Sequence, residues 1–325
     1  VYKAADMSLW QGRVDREDGA AARRWHQKVC AWPGATDLHG AATLLGFACD
    51  EGVRRNQGRA GARHGPSAIR AALAGLAYPR DEAVFDAGDV VCADAMLEPA
   101  QAELAERVAG VLHKRGFPLV LGGGHELAWG SFLGLRRFLD ATKPQTRVGI
   151  VNFDAHFDLR NPQPQAHSGT AFRQIAQWCA EHDQAFHYTV FGINPSANTT
   201  ALVEFASQHA VTWYTDLECN WPQLDRLCGA AQAFVTGVDV LYLTICLDVF
   251  SASAAPGVSA PAPLGLDPAW VIAFLRLLFD TCRRRGVAVA IADIAEMNPD
   301  YDRDAITAKL AARLVHEIVS ERQHS

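Results

Sequence analysis

Val151-Asn152-Phe153-Asp154-Ala155-His156-Phe157-Asp158-Leu159-Arg160 is the stretch on which the reading of this chain turns. The run from Arg147 to Phe153 is mostly apolar and has the length of a buried strand. After it, Asp154, His156 and Asp158 alternate with Ala155 and Phe157. In an extended chain, side chains at i, i+2 and i+4 share one face. Three groups able to ligate a metal are therefore expected to project from the end of one strand toward one point. The plainer reading is a solvated polar loop after a strand, and the stretch alone does not choose between them.

Working outward, strand-like apolar runs at 41–48, 84–91, 118–121, 187–192, 211–214, 238–247 and 287–294 join the one at 147–153. Helical patterns begin at Pro66 and occupy 98–115, 127–139, 171–181, 201–209, 223–235, 268–285 and 304–320. Gly116 and Gly286 end two of these helices. Residues 1–35 read as an irregular, Trp-containing lead-in. Residues 50–65 are rich in Gly and Arg and read as a loop too long to be passive filler. Strands alternating with amphipathic helices predict an α/β fold with a mostly parallel sheet covered on both faces. No Gly/Pro/Ser-rich linker and no internal repeat interrupts the pattern, so one domain over residues 1–325 is expected.

The 325 residues are 49% hydrophobic, enough for a large core, and carry a net charge of −6. That balance argues against nucleic acid or an acidic membrane surface as partner. No apolar run reaches the ~18 residues of a membrane span. The first ten residues lack the basic-then-apolar order of a secretion signal. Eight cysteines, at 30, 49, 92, 179, 219, 228, 246 and 282, are dispersed without a Cys-x-x-Cys pair. Reduced thiols in a cytoplasmic protein are expected.

Ligands of parallel sheets bind beyond the carboxyl ends of the strands. The reactive residues cluster at those ends. His125 follows Gly122-Gly-Gly after the strand ending at Leu121, Asp248 follows the strand at 238–247, and Glu296 follows the one at 287–294. Gly122-Gly-Gly-His125 lacks the Gly-Lys-Ser/Thr ending of a phosphate loop. Its glycines suit either a turn with positive φ or a close backbone approach to an ion.

Gly122-Gly-Gly-His125, Asp154-Ala-His156-Phe-Asp158 and Thr244-Ile-Cys246-Leu-Asp248, with Ala255-Pro256-Gly257, resemble the three metal motifs of the ureohydrolases, the arginase/agmatinase group. Asn56-x-Gly58-Arg59-x-Gly61, Gly65-Pro66-x-Ala-Ile69-Arg70 and Asp293-Ile-Ala-Glu296-Met-Asn298-Pro are similar to other motifs of that family. The resemblance implies a three-layer α/β/α fold and a centre of two Mn2+ ions. His125 and Asp158 would hold one ion, His156 and Asp248 the other, and Asp154 would bridge them. Cys246 stands where the family usually has a second bridging Asp. A thiolate there is softer and shifts preference from Mn toward Zn or Fe; it is also open to oxidation. Two ions sharing a water lower its pKa, and in the family the resulting hydroxide attacks an amidine or guanidine carbon. Glu296 would pair with the cationic amidinium and orient it. Asp154 and Glu296 are thus the expected catalytic residues.

The family's arginase-like members carry a histidine about where Phe172 stands, which leaves His167 or water as proton donor. The aspartates with which arginase holds its substrate's amino group are missing after Phe191-Gly192-Ile193-Asn194-Pro195. Arg160 and Arg173 flank the motif instead, and arginine is the natural partner of carboxylates. The stretches at Arg160, Ser168-Gly-Thr-x-Phe-Arg173 and Asn198-Thr199 resemble the branch that hydrolyses N-formimidoyl-L-glutamate to L-glutamate and formamide in histidine degradation. Arg160, Ser168, Arg173, Asn198 and Glu296 are then the expected contacts of a small amidine with two carboxylates. A guanidino hydrolase and a metal-poor binding protein are the alternatives. Members of the family are usually oligomers, so a homo-oligomer is also expected.

Overall fold

The computed structural model describes residues 1–78 and 80–322. Residues 79 and 323–325 of the expected domain lie outside the described residues. In chain order the strands are β1 (Tyr2–Lys3), β2 (Val29–Ala31), β3 (Ala42–Ala48), β4 (Val84–Val91), β5 (Phe117–Gly122), β6 (Val148–Phe153), β7 (His187–Ile193), β8 (Thr212–Thr215), β9 (Val240–Cys246) and β10 (Ala288–Ala295). The helices are α1 (Glu51–Arg55), α2 (Gly65–Ala74), α3 (Leu97–His113), α4 (Leu127–Thr142), α5 (Ala171–Glu181), α6 (Thr200–Gln208), α7 (Leu224–Thr236), α8 (Pro268–Arg285) and α9 (Ile306–Arg322). The strands and helices expected beyond residue 40 are present, with ends moved by a few residues.

Two expectations are corrected. The lead-in over 1–35 is not irregular throughout: β1 pairs antiparallel and β2 parallel with β4, and Trp25 is fully buried. Strands of two and three residues carry no periodic signal for a sequence reading to detect. The segment 50–65 is likewise not plain loop, since it contains α1 and a 3-10 turn at Ala62–His64. A single helical turn is too short for an amphipathic stripe.

The strands form one sheet in the order β1-β4-β3-β5-β10-β9-β6-β7-β8, with β2 also on β4. All pairings except β1 with β4 are parallel. Alternate residues feed two cores. Leu119 and Leu121 of β5, and Leu241, Leu243 and Ile245 of β9, pack with Leu73, Leu227, Phe274 and Val315 from α2, α7, α8 and α9. Val120, Tyr242 and Ile150 face the other way, onto Leu104, Phe132, Ile175 and Ala206 from α3, α4, α5 and α6. This is the period-2 alternation of a sheet buried on both faces, and it makes the architecture α/β/α. Local signals agree with the packing. On α8, Asp267 accepts from Ala269 N at 2.8 Å, Pro268 sits at the first turn, and Gly286 closes the helix at φ 67°.

The strand order also locates the site. The chain passes from β5 to β6 by skipping two positions, which β9 and β10 later fill. The four central strands β5, β10, β9 and β6 are parallel neighbours, so their carboxyl ends open onto one crevice at the switch in strand order.

Candidate metal centre and substrate cleft

Each of those four strands delivers its polar residues just past its last hydrogen-bonded position. β6 ends at Phe153, so Asp154, His156 and Asp158 are not on one strand face as the alternation suggests. They converge through a turn instead, in which His156 N donates to Asp154 Oδ1 at 2.8 Å and Asp158 takes φ 49°. Asp248 lies in a 3-10 turn, Leu247–Val249, after Cys246. Glu296 follows β10 with φ 70°. Left-handed backbone at residues other than glycine costs roughly 1–3 kcal/mol and concentrates at functional sites.

His125 Nδ1 lies 2.9 Å from Asp154 Oδ2 and 3.1 Å from Asp158 Oδ2. His156 Nδ1 lies 3.2 Å from Asp248 Oδ2 and 3.5 Å from Asp154 Oδ1. Asp154 thus divides its two oxygens between two imidazoles. Ligand atoms of His125, Asp154 and Cys246 lie within 4.8 Å of one another, as do those of Asp154, His156 and Asp248. Asp154 belongs to both groups, which is the arrangement a bridging carboxylate requires.

Polar satisfaction tests whether these residues fit cations. His125 Nδ1, Asp248 Oδ1 and Glu296 Oε2 are buried without a directional hydrogen bond, although carboxylates crowd around Nδ1. Among the described residues no Lys or Arg pairs with Asp154, Asp158, Asp248 or Glu296. Buried carboxylates in such numbers are costly unless a positive charge joins them. Burial, together with Asp154 and Asp248, pushes the Cys246 thiol well up. Burial, Asp248 and Glu126 do the same to the Glu296 carboxyl. Burial opposes charge on His125 and His156, yet the carboxylates outweigh it and both pKa values stand well above the usual. Beside burial, neighbouring carboxylates contribute to all four directions, and divalent cations would offset that negative charge. The carboxylate donors suit manganese, while the imidazoles and the softer Cys246 sulfur also suit zinc or iron.

Supporting residues that sequence reasoning missed hold these groups in place. His125 Nε2 is 3.0 Å from Thr244 Oγ1, which fixes the ring with Nδ1 toward the carboxylates. Thr244 sits two residues before Cys246, so only its place on the same strand face would have signalled it. Glu296 Oε1 accepts from His125 N at 3.0 Å, while Glu296 N donates to Gly123 O at 2.7 Å. The Gly122–Gly124 run has no positive φ. It needs glycine for space: a Cβ on Gly123 would lie 2.4 Å from Cys49 O and 2.5 Å from Phe47 O.

The residues expected to contact substrate separate into two groups. A cavity of about 280 Å³ is lined by His125, His156, Asp158, Cys246, Asp248 and Glu296 at its floor, and by Asn56, Arg160, Ser168 and Asn198 on its wall. Arg173 is not on that wall; its guanidinium lies 4.3 Å from the Phe205 ring centroid, on the side of α5 that meets α6. That position on the helix could not be read from the distance between motifs. Asn198 reaches the cavity with its amide already committed. Its Oδ1 accepts from Phe157 N at 3.1 Å, and Nδ2 donates to Ala155 O and Asn194 O, both at 2.9 Å. It fastens the 154–158 turn. Phe172 is buried edge-on to His125 at 5.3 Å and stacked on Tyr188 at 4.5 Å, so that position offers no proton. His167 is absent from the lining and accepts from Gly169 N at 3.2 Å.

Fold, switch point and buried acid cluster together are those of a hydrolase of the arginase type. The family model described as the arginase family matches residues 41–320, and the chain belongs to that family. A curated formimidoylglutamase from Ralstonia nicotianae is 48% identical over 320 residues, covering 98% of this chain and 97% of its own. Among solved structures, formimidoylglutamase from Bacillus subtilis superposes with a TM-score of 0.82 at 21% identity, over 96% of this chain and 94% of its own. Trypanosoma cruzi formiminoglutamase with Mn2+ gives a TM-score of 0.73 at 26% identity, over 88% of this chain and 95% of its own.

Proposed function

We propose that this protein hydrolyses N-formimidoyl-L-glutamate to L-glutamate and formamide with two Mn2+ ions bound. The observation that carries the reading is the pairing, in one cavity, of a cation-demanding acid floor with Arg160, which has no ion-pair partner among the described residues. The near full-length similarity to a curated formimidoylglutamase supports the same substrate. His125 and Asp158 would hold one ion, His156 and Asp248 the other, with Asp154 bridging and Cys246 at the second bridging position. When bound, the ions would supply the Lewis acidity that makes water a nucleophile at neutral pH.

The chain's own groups account for the rest. Glu296, anchored through Oε1 by the His125 amide, keeps Oε2 unpaired. That oxygen would accept from the amidinium N–H and hold the amidine carbon over the floor. Asp154 would take a proton from the attacking water, and its position is stiffened by Asn152 Nδ2 at 3.2 Å. Phe172 keeps water from the flank of His125. Arg160 would bind a substrate carboxylate. With Phe172 unable to donate, solvent entering the open cavity protonates the leaving amine.

The reading includes a role in histidine degradation and residence in the cytoplasm, for which the support is that the eight cysteines are all free. It also treats the described chain as one metallohydrolase unit. The test is release of formamide and glutamate by manganese-loaded protein, beside urea release from arginine and agmatine. Formamide without urea is the expected result. Absence of formamide at two ions per chain would overturn the proposal.

A further inference from the structure

The cavity wall contains a donor cluster that gathers residues from two separate motifs, and the resemblance gives Asn56 no role in it. Asn56 follows α1, and α1 is tied down from several sides. Gly52 N donates to Glu126 Oε1 at 2.9 Å, which links the helix to the residue after His125. Arg55 donates to Glu98 Oε1 at 2.6 Å and to Ala166 O at 3.1 Å, which links it to the segment carrying Ser168. The helix closes with Gly58 N on Val53 O at 2.8 Å and Gln57 N on Arg54 O at 2.9 Å, and Gln57 takes the left-handed position at φ 62°. Asn56 is thereby presented to the cavity at a fixed place.

Asn56, Arg160 and Ser168 converge around Gly169. A Cβ there would lie 3.1 Å from Arg160 Cδ and 3.3 Å from Asn56 Nδ2. Arg160 N also donates to Gly169 O at 2.9 Å. Asn56 Nδ2 donates to Ser168 Oγ at 3.1 Å, so the serine hydrogen is free to point elsewhere. The second Nδ2 hydrogen of Asn56 has no partner among the described residues. The cluster therefore offers a guanidinium, an amide N–H and a hydroxyl, with no carboxylate paired to the guanidinium. Planar Arg with flanking neutral donors is the recognition chemistry of a carboxylate.

We infer that Asn56 is a specificity-determining residue that completes, with Arg160 and Ser168, a carboxylate-binding subsite on the cavity wall, in the place that sequence reasoning gave to Arg173. The inference rests on the proposed amidine hydrolysis and names the group that reads the substrate's acid end. The test compares wild type, Asn56→Ala, Asn56→Asp and Arg160→Ala, all manganese-loaded. The substrates are N-formimidoyl-L-glutamate, the analogue lacking its α-carboxylate and the analogue lacking its side-chain carboxylate. Binding of L-glutamate is measured by calorimetry. Asn56→Ala is expected to raise KM for the dicarboxylate about tenfold, with kcat within about twofold. Asn56→Asp keeps the size, adds a like charge and should raise KM further. The penalty should disappear for one of the two analogues, which identifies the carboxylate that is bound. L-glutamate affinity should fall in parallel. Equal losses on all three substrates, or no loss on any, would overturn the inference. A wild type that releases no formamide would overturn the functional reading instead. In that case glutamate binding by wild type, weakened by Asn56→Ala, would still sustain the subsite, and its absence would remove that too.

Discussion

The floor and the wall of the cavity are built on opposite terms. The floor is set by four adjacent strand ends, and its side chains are buried or half-buried and short of positive charge. The wall is set by α1, the segment 160–170 and Asn198, and it is rich in donors, with Arg160 exposed and Ser168 buried. The floor is stiff because its residues sit in short turns at the ends of strands hydrogen-bonded on both sides. The wall is held by side-chain ties such as Arg55 to Ala166 O. Reaction chemistry tolerates misplacement poorly, whereas recognition of a substrate's outer end needs charge more than rigidity. Change at the floor should therefore alter metal content and kcat, and change at the wall should alter KM.

The sharpest way to break this contrast is Asp154→Asn. We expect manganese stoichiometry to fall below two and formamide release to drop on the order of 10³-fold, since Lewis-acid activation supplies several kcal/mol. The same substitution removes the carboxylate that both imidazoles pair with, so the melting temperature of the metal-free protein should fall, and that of the manganese-loaded protein should fall further. A variant that keeps two ions and full turnover would show that Asp154 is not the bridge.

Thr244→Val comes next. It preserves shape but leaves His125 Nε2 without its partner, and manganese affinity should weaken roughly 10–100-fold. Metal titration measures this directly; an unchanged affinity would mean the ring is held by packing against Phe172 alone. Cys246→Asp replaces the soft donor by a hard one. Manganese should be held against zinc competition more firmly, with activity kept or raised several-fold. A folded, inactive and metal-free Cys246→Asp protein would contradict a bridging role for that position. The smallest effect is expected from Arg173→Ala. Its guanidinium stacks on Phe205 away from the cavity, so KM should stay within about twofold and stability should fall by about 1 kcal/mol. A large rise in KM would move Arg173 back into recognition and weaken the distinction between floor and wall.

Much of the floor was legible because its acids and imidazoles lie close to strands that announce themselves by apolar runs. Asp154, His156, Asp158, Asp248, His125 and Glu296 all follow such runs, and the rule for parallel sheets brings their ends together. The reasoning was still inexact where it assumed that strand alternation carries Asp154 to Asp158 onto one face. The strand stops at Phe153, and a turn with Asp158 in left-handed backbone does the work. The wall was much less legible. Asn56 is separated from Ser168 by more than a hundred residues, and no period or spacing connects them. Arg173 and Asn198 have suitable side chains near the right motifs. Their orientation depends on which face of α5 meets α6 and on which backbone groups of the 154–158 turn need partners.

The amino-acid sequence by itself determined the α/β class, the parallel sheet and the identity of the acid-and-imidazole set. These follow from local periodicity and from residue chemistry at strand ends, both of which are properties of neighbouring residues. The tertiary structure decided the rest: the β5-β10-β9-β6 order that brings the set to one point, the use of Asn198 as a fastening and the presentation of Asn56 beside Arg160. Those outcomes depend on contacts between segments far apart in the chain, where packing and hydrogen-bond satisfaction choose among arrangements that local pattern leaves equivalent.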